Sequence, residues 1–478
     1  MQHLLTRDAT DLAALVASRQ VTPTELLDAA LQATEAKNSV LNAVVLVQED
    51  VARKAIAQGL PRGPFRGVPF LIKDLGCEAT DFPSHNGSRL LANTRYTTNS
   101  AIFDRIQATG VVTFGRTTSP EGGIGAATES AVYGGPTRNP WNMHHTSGGS
   151  SGGSGAAVAA GIVPFAHGSD GGGSVRIPAS NCGLFGFKST RARLPDGPYA
   201  GEGWAGMAID GFLTRSVRDT ATMLDACCGI DLGAPYSAPA LNKSHADAIS
   251  RPPNRLRVTL CDTTLTGDLI DPEVADAVRN TGRLLEAMGH HVTPGHPDAD
   301  VPMMMRAWTD IIAIGTALSI RSALKGRPLT DALVEGVGRG AVAHAERLPA
   351  TRYLQAVNEI HTFGRQMARW FATGTDILLS ATMAEPPAIV GRFAHSTEDY
   401  LAYRIGPQGI FAYSPFCAVF NASGQPAASL PLAMSKDGLP IGLHLAAAYG
   451  DDETLIALCA ELEQAQPWAA RLAPLAQN

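Results

Sequence analysis

Residues 147–155 are glycine or serine at all nine positions. By composition alone such a run is a flexible tether. Its neighbours exclude that reading. Upstream lies the proline turn Asn139-Pro140-Trp141-Asn142; downstream lies Ala156-Ala157-Val158-Ala159-Ala160-Gly161, a strong helix former closed by a glycine. A tether has no reason to join a tight turn directly to a buried helix. The run therefore belongs to folded structure.

Around it, helix and buried strand alternate. Thr22-Pro23-Thr24-Glu25 is a capping box with proline at the first helical position, opening a helix through about Ala36. Val68-Pro69-Phe70-Leu71-Ile72 reads as a buried strand ending at Lys73-Asp74. Residues 102–115 repeat the theme, with a helix to Gly110 and a strand over Val111-Val112-Thr113-Phe114. The apolar run Ile162-Val163-Pro164-Phe165-Ala166 follows the alanine helix. This is α/β grammar. The first 60 residues read as helical, and 231–256 as an exposed connection. Residues 257–390 read as mostly helical, with strand-like breaks near Leu256–Thr259 and Asp376–Leu379. The stretch from Phe416 to about Leu445 reads as two short strands around a Lys436-Asp437-Gly438 turn, before a final helix from about Asp452 to Gln466.

The chain has 478 residues, of which 45% are hydrophobic and 17% charged, which excludes disorder. Its net charge is −6 and no basic block of five or more occurs, which argues against a nucleic-acid partner. Seven scattered cysteines without a C-x-x-C read as reduced thiols. Residues 147–169 and 405–435 carry no charged side chain, but glycine, serine and Pro407, Pro415, Pro426 and Pro431 break any lipid-exposed helix. Arg7, Asp8 and Asp11 stand where a signal peptide would be apolar. The expectation is a cytoplasmic protein with no membrane partner.

The chemistry concentrates in Asp170-Gly171-Gly172-Gly173-Ser174-Val175-Arg176. Successive glycines let consecutive backbone N–H groups converge on one point, an anion-binding nest. Ser174 ends the nest, so its hydroxyl lies beside the donors: a nucleophile next to oxyanion stabilisers. The pattern is neither a Walker loop, a dinucleotide fingerprint nor a G-x-S-x-G elbow. No histidine stands in a recognisable pattern, and no H-E-x-x-H zinc motif occurs. Lysine is the alternative base, and Lys73 at the end of an apolar strand is well placed. Free lysine has a pKa of about 10.4, so a base role needs burial to lower it. Cys182 reads as a small core residue. Neither a metal nor a cofactor is expected.

Taken together, these segments resemble the amidase signature family. Gly148-Gly149-Ser150-Ser151-Gly152-Gly153-Ser154 and the Asp170–Arg176 segment match its signature, and Val68–Asp74 its lysine motif. Gly134-Gly135-Pro136-Thr137-Arg138-Asn139-Pro140-Trp141, Phe420-Asn421-Ala422-Ser423-Gly424-Gln425-Pro426 and Pro440-Ile441-Gly442 match as well. The likeness runs from about residue 5 to 468. Ala166-His167-Gly168, Val175–Ser180 and Ala446–Gly450 resemble the branch that includes 6-aminohexanoate cyclic-dimer hydrolases. The resemblance implies a single α/β amidase domain over 1–478, a mixed, twisted central sheet with helices on both faces. Its signature core spans about 65–200, and a more variable helical part at about 230–400 shapes the substrate entrance. It implies a Ser–cis-Ser–Lys triad of Ser174, Ser150 and Lys73, oxyanion donors on Gly171, Gly172, Gly173 and Ser174, and support from Ser151, Asp170 and Arg176. The partners implied are a small amide and water; a homodimer is left open. The chain departs from the family at Gly171, where a bulkier residue is usual, and at Thr118, where asparagine is common.

Two rivals share parts of the pattern. The A subunit of a tRNA-dependent amidotransferase carries the same signature. Ser322-Ala323-Leu324-Lys325 is the S-x-x-K string of serine β-lactamases and penicillin-binding proteins, without their S-D-N or K-T-G. For the substrate pocket, residues 393–420 hold seven of the chain's 29 aromatic residues. Phe416 and Phe420 read as core. Tyr400, Tyr403, Phe411 and Tyr413, among Gly406, Pro407 and Gly409, read as a loop walling a roomy pocket for apolar, aryl or oligoamide substrates. Met303-Met304-Met305 and Trp308 read equally as an opposite wall or as helical core.

Overall fold

The segment Pro69–Lys73 is buried at all five positions and is flanked by parallel neighbours on both sides. A strand covered on both faces needs an unbroken apolar run, which is why it stands out in the sequence. It is one of eleven strands in a mixed sheet of the computed structural model, which describes residues 2–477. In chain order they are β1 (Val44–Val47), β2 (Pro69–Lys73), β3 (Val112–Thr117), β4 (Phe165–Asp170), β5 (Phe185–Lys188) and β6 (Ile209–Thr214). They continue with β7 (Arg257–Leu260), β8 (His291–Pro294), β9 (Ile377–Ala381), β10 (Ala427–Met434) and β11 (Pro440–Ala447). The spatial order is β1-β3-β2-β4-β6-β5-β10-β11-β9-β7-β8. β3, β2 and β4 run parallel, the centre from β4 to β9 is antiparallel, and β9, β7 and β8 are parallel again. Helices flank the sheet.

Helix α1 (Pro23–Leu41) begins with the capping box read from the sequence: Glu25 N–H donates to Thr22 Oγ1, and Thr22 N–H donates to the Glu25 carboxylate at 2.8 Å. The nine-residue Gly/Ser run is buried throughout. Its first half is a turn in which the Gly149–Ser150 peptide is cis. Its second half is already the first turn of α2 (Gly152–Ala159). A Cβ on Gly153 would lie 2.4 Å from the Thr118 backbone nitrogen and 2.7 Å from the Ala43 carbonyl oxygen, so the helix rests directly on main chain. Thr118, the position that departs from the family, bonds Thr137 Oγ1 at 2.6 Å in the same layer.

Four segments differ from their sequence reading. The first 60 residues include β1, a half-buried edge strand paired antiparallel with β3. β8, mostly exposed at the opposite edge, has no apolar run to announce it. The apolar run near 162–166 becomes a strand only at Phe165 and continues to Asp170, carrying the chain to the nest. Residues Cys417–Ser423 form a helix before the two C-terminal strands begin. Among the described residues no helix is long and apolar enough to cross a membrane.

Candidate active site

β4 ends at Asp170, residues 171–174 turn, and α3 (Arg176–Cys182) starts immediately after. Asp170 organises this turn. Its carboxylate accepts from Gly173 N–H at 2.8 Å, Val175 N–H at 3.2 Å, and Arg176 Nε and Nη2 at 3.0 and 2.8 Å. Both side chains of the Asp170–Arg176 pair are fully buried. Burial alone would raise the Asp170 carboxyl, but the Arg176 charge and the donors around it hold it well below the usual range. Arg176 also donates to Asn421 Oδ1 at 2.7 Å and to His444 Nε2 at 3.0 Å; burial and the Arg176 charge push the His444 pKa far down, so its ring stays neutral. Asn421 Nδ2 returns to the Asp170 carbonyl at 2.8 Å.

This geometry corrects one expectation about the nest. Gly173 N–H, at a φ of 118°, is committed to Asp170. The N–H groups of Gly171, Gly172 and Ser174 have no acceptor among the described residues. The family departure at Gly171 also finds its physical reason. A Cβ on Gly171 would lie 2.4 Å from the Trp204 ring, and one on Gly172 would lie 2.8 Å from Trp308. The two indoles meet edge to face at 6.0 Å, and Trp308 Nε1 donates to the Gly171 carbonyl at 3.3 Å.

Lys73 ends β2, next to β4, so both strands deliver their last residues to one place. Its Nζ donates to Ser150 Oγ at 2.7 Å and to Ser169 Oγ at 2.9 Å. Burial lowers the Lys73 pKa to about 7, with Asp210 and Asp170 pulling weakly the other way. A large part of Lys73 is therefore neutral near pH 7. Behind it, Lys73 N–H donates to His167 Nδ1 at 3.3 Å, which leaves His167 Nε2–H to donate to Asp210 at 3.0 Å. Ser151 N–H donates to the Ser174 carbonyl at 3.2 Å, and Ser151 Oγ exchanges hydrogen bonds with the Ser169 backbone. Ser169 and Asp210 gave no signal of their own in the sequence, and His167 only as part of Ala166-His167-Gly168; their place beside Lys73 follows from the sheet.

Ser150, Ser169, Gly171 and Ser174 line one side of a cavity of about 570 Å³. Its walls come from Leu90, Leu91, Tyr96, Tyr199, Trp204 and Ile320, and Glu78, Glu121, Asp196 and Asp210 also line it. Burial raises the Asp196 pKa to about 8, reinforced by Asp210 and Asp231. A second, small cavity of about 20 Å³ shares Gly123, Ser174 and Trp204 with the first.

The four aromatics expected to wall the pocket are placed differently. Gly406, Pro407 and Gly409 form only a short turn between two helices, α4 (Tyr400–Ile405) and α5 (Ile410–Tyr413), and the four aromatics sit on the helices. Tyr413 is fully buried and its hydroxyl accepts from Asn181 Nδ2 and Ala388 N–H, both at 3.1 Å. The Tyr400 and Tyr403 hydroxyls donate to the carbonyls of Thr309 and Phe393. None of the three lines either cavity. Phe411 lines the small one, edge-on to Trp308. Met304 is core, with Met303 and Met305 packed beside it. Ser322 and Lys325 lie exposed at the end of the Val301–Leu324 helix, away from both cavities. Cys182 is buried and its thiol is pushed up by burial, as a core residue should be. Among the described residues no group of three or more His, Cys, Asp or Glu could hold a metal ion.

Comparison with known proteins matches residues 25–456 to the Amidase family. The chain is 38% identical to the 6-aminohexanoate-cyclic-dimer hydrolase of Paenarthrobacter ureafaciens, covering 98% of this chain and 96% of that protein. It is 33% identical to an acylamidase of Rhodococcus erythropolis over 98% of this chain and 97% of that one. A solved 6-aminohexanoate cyclic dimer hydrolase, complexed with substrate, superimposes with a TM-score of 0.92 at 36% identity, with 99% of each chain covered. The chain belongs to the amidase signature family and is a hydrolase of carbon–nitrogen bonds in non-peptide amides.

Proposed function

We propose that the chain, as a single amidase domain, hydrolyses amides with bulky apolar, aryl or oligoamide (nylon-type) parts through Ser174, Ser150 and Lys73. The observation that carries this reading is the 2.7 Å contact between buried Lys73 and Ser150, beside a nest that ends at Ser174. Ser174 Oγ attacks the amide carbonyl carbon while its proton passes to Ser150, and the Ser150 proton passes to neutral Lys73. The carbonyl oxygen becomes an oxyanion facing the N–H groups of Gly171, Gly172 and Ser174. As the C–N bond breaks, the proton returns from Lys73 through Ser150 to the departing amine. Water then attacks the Ser174 acyl ester by the same route in reverse, releasing the carboxylic acid and restoring the serine. Ser151, Asp170 and Arg176 hold the backbone that carries these groups. Esters and carbamates (urethanes) are within reach of the same chemistry. The free, mostly buried cysteines fit a reducing, cytoplasmic setting.

Two measurements test this. The purified chain should turn over an aryl amide and a six-carbon oligoamide without any partner subunit, and with kcat/KM about tenfold or more above that for acetamide. Each buried methylene adds about 0.8 kcal/mol of binding that a two-carbon acyl group cannot collect. A preference for acetamide would mean that the large cavity is not the substrate pocket, and a strict need for a partner would favour the amidotransferase reading.

The pH profile supplies the second. A base with a folded pKa near 7 is protonated and inactive below that value and neutral above it, so kcat/KM should rise through about pH 7 and level off in alkali. A profile that falls between pH 6 and 8 would exclude Lys73 as the base.

A further inference from the structure

Arg404 is a cation that the mechanism leaves unused. It is 3% exposed, and its Nε and Nη2 have no hydrogen-bond partner among the described residues. No carboxylate pairs with it there. The rings of Trp308, Tyr400 and Tyr403 stand 5.0, 5.5 and 5.9 Å from its guanidinium carbon. Aromatic faces compensate a buried charge but accept nothing from in-plane N–H groups. The free edge, Nε with Nη2, is the same edge by which Arg176 grips Asp170. Arg404 lines the small cavity beside Ser174, and so does Ser414, a 2% exposed residue whose Oγ is also without a hydrogen-bond partner among the described residues.

We infer that Arg404 and Ser414 form an anion subsite that takes a carboxylate borne by the amide substrate. A planar carboxylate satisfies the guanidinium edge with two parallel bonds. Ser174 lines the same small cavity, so a carboxylate that enters it is the end of a ligand whose amide lies at Ser174. The large cavity is lined by Glu78, Glu121, Asp196 and Asp210 and, among the described residues, by no Lys or Arg, so it offers a carboxylate no counter-charge. The inference rests on the proposed role of Ser174.

The test compares hexananilide with the monoanilide of the six-carbon dicarboxylic acid, and acetanilide with its para-carboxylate analogue. These place the charge on the acyl side and on the amine side respectively. At least one charged substrate should exceed its neutral partner in kcat/KM by about 10- to 100-fold, the range of a hydrogen bond to a charged group. Arg404→Gln should cut that ratio by tenfold or more, and Arg404→Lys by less. A ratio near one in the wild-type chain, or one unmoved by Arg404→Gln, overturns the subsite. Hydrolysis of neither neutral anilide overturns the proposed function instead. Independently of any variant folding, adipate should inhibit turnover of hexananilide at least tenfold more strongly than 1,6-hexanediol; equal inhibition also overturns the subsite.

Discussion

Ser174→Ala is expected to lower kcat/KM by about 10⁴-fold or more, because no second nucleophile stands at the nest. Ser150→Ala should lose nearly as much, since it breaks the 2.7 Å hydrogen bond that leads from Lys73 towards Ser174. Lys73→Met, which keeps the volume and removes the amine, should match it. The three losses will not add, because the groups act as one unit. All three variants should fold: each serine loses a single hydroxyl, and Lys73→Met removes a buried amine while filling its space. Thermal unfolding alongside steady-state kinetics checks both halves. A Ser174→Ala protein that keeps several per cent of activity would remove it as nucleophile.

The second large effect concerns stability. Arg176→Met should cost about 3–5 kcal/mol, because it leaves the Asp170 carboxylate charged, fully buried and without its counter-ion. Activity should fall with it. The same carboxylate holds Gly173, Val175 and Arg176 N–H, so an aspartate forced to protonate or move releases the turn that presents Ser174. Denaturant unfolding followed by fluorescence measures the first effect and kcat/KM the second. A cost below about 1 kcal/mol would show that the pair is dispensable to the fold.

The legibility of the chain follows its physics. β2 and β3 are sandwiched between layers and flanked by strands, so burial wrote itself into continuous apolar runs. The capping box at Thr22 is a local device, complete within four residues. β8 was hidden because an exposed edge imposes little on its side chains, and β1 because four apolar residues between two helices fit either structure. At the site, Ser174 and Lys73 stood out because a glycine-rich turn and a strand-end lysine are unusual in combination, whereas Ser150 came only through the family resemblance; the structure brings Lys73 and Ser150 to 2.7 Å. Asn421 and His444 reach Arg176 from more than 240 residues away, and no local pattern announces such a contact. The aromatics at 400–413 misled for a related reason: glycine and proline between them mark a break between helices as readily as a loop, and only tertiary packing decides which.

Gly171 and Trp204 make one shape from two distant positions. A methyl group at 171 has nowhere to go while the indole is in place, and a smaller residue at 204 would open a gap over a glycine. Each residue is therefore conditional on the other. Any lineage passing between this arrangement and one with a larger residue at 171 has to trim position 204 first, and during that interval both cavities that Trp204 lines lose its indole. Changes in substrate range are most accessible at that intermediate step, when one substitution has been made and the other has not.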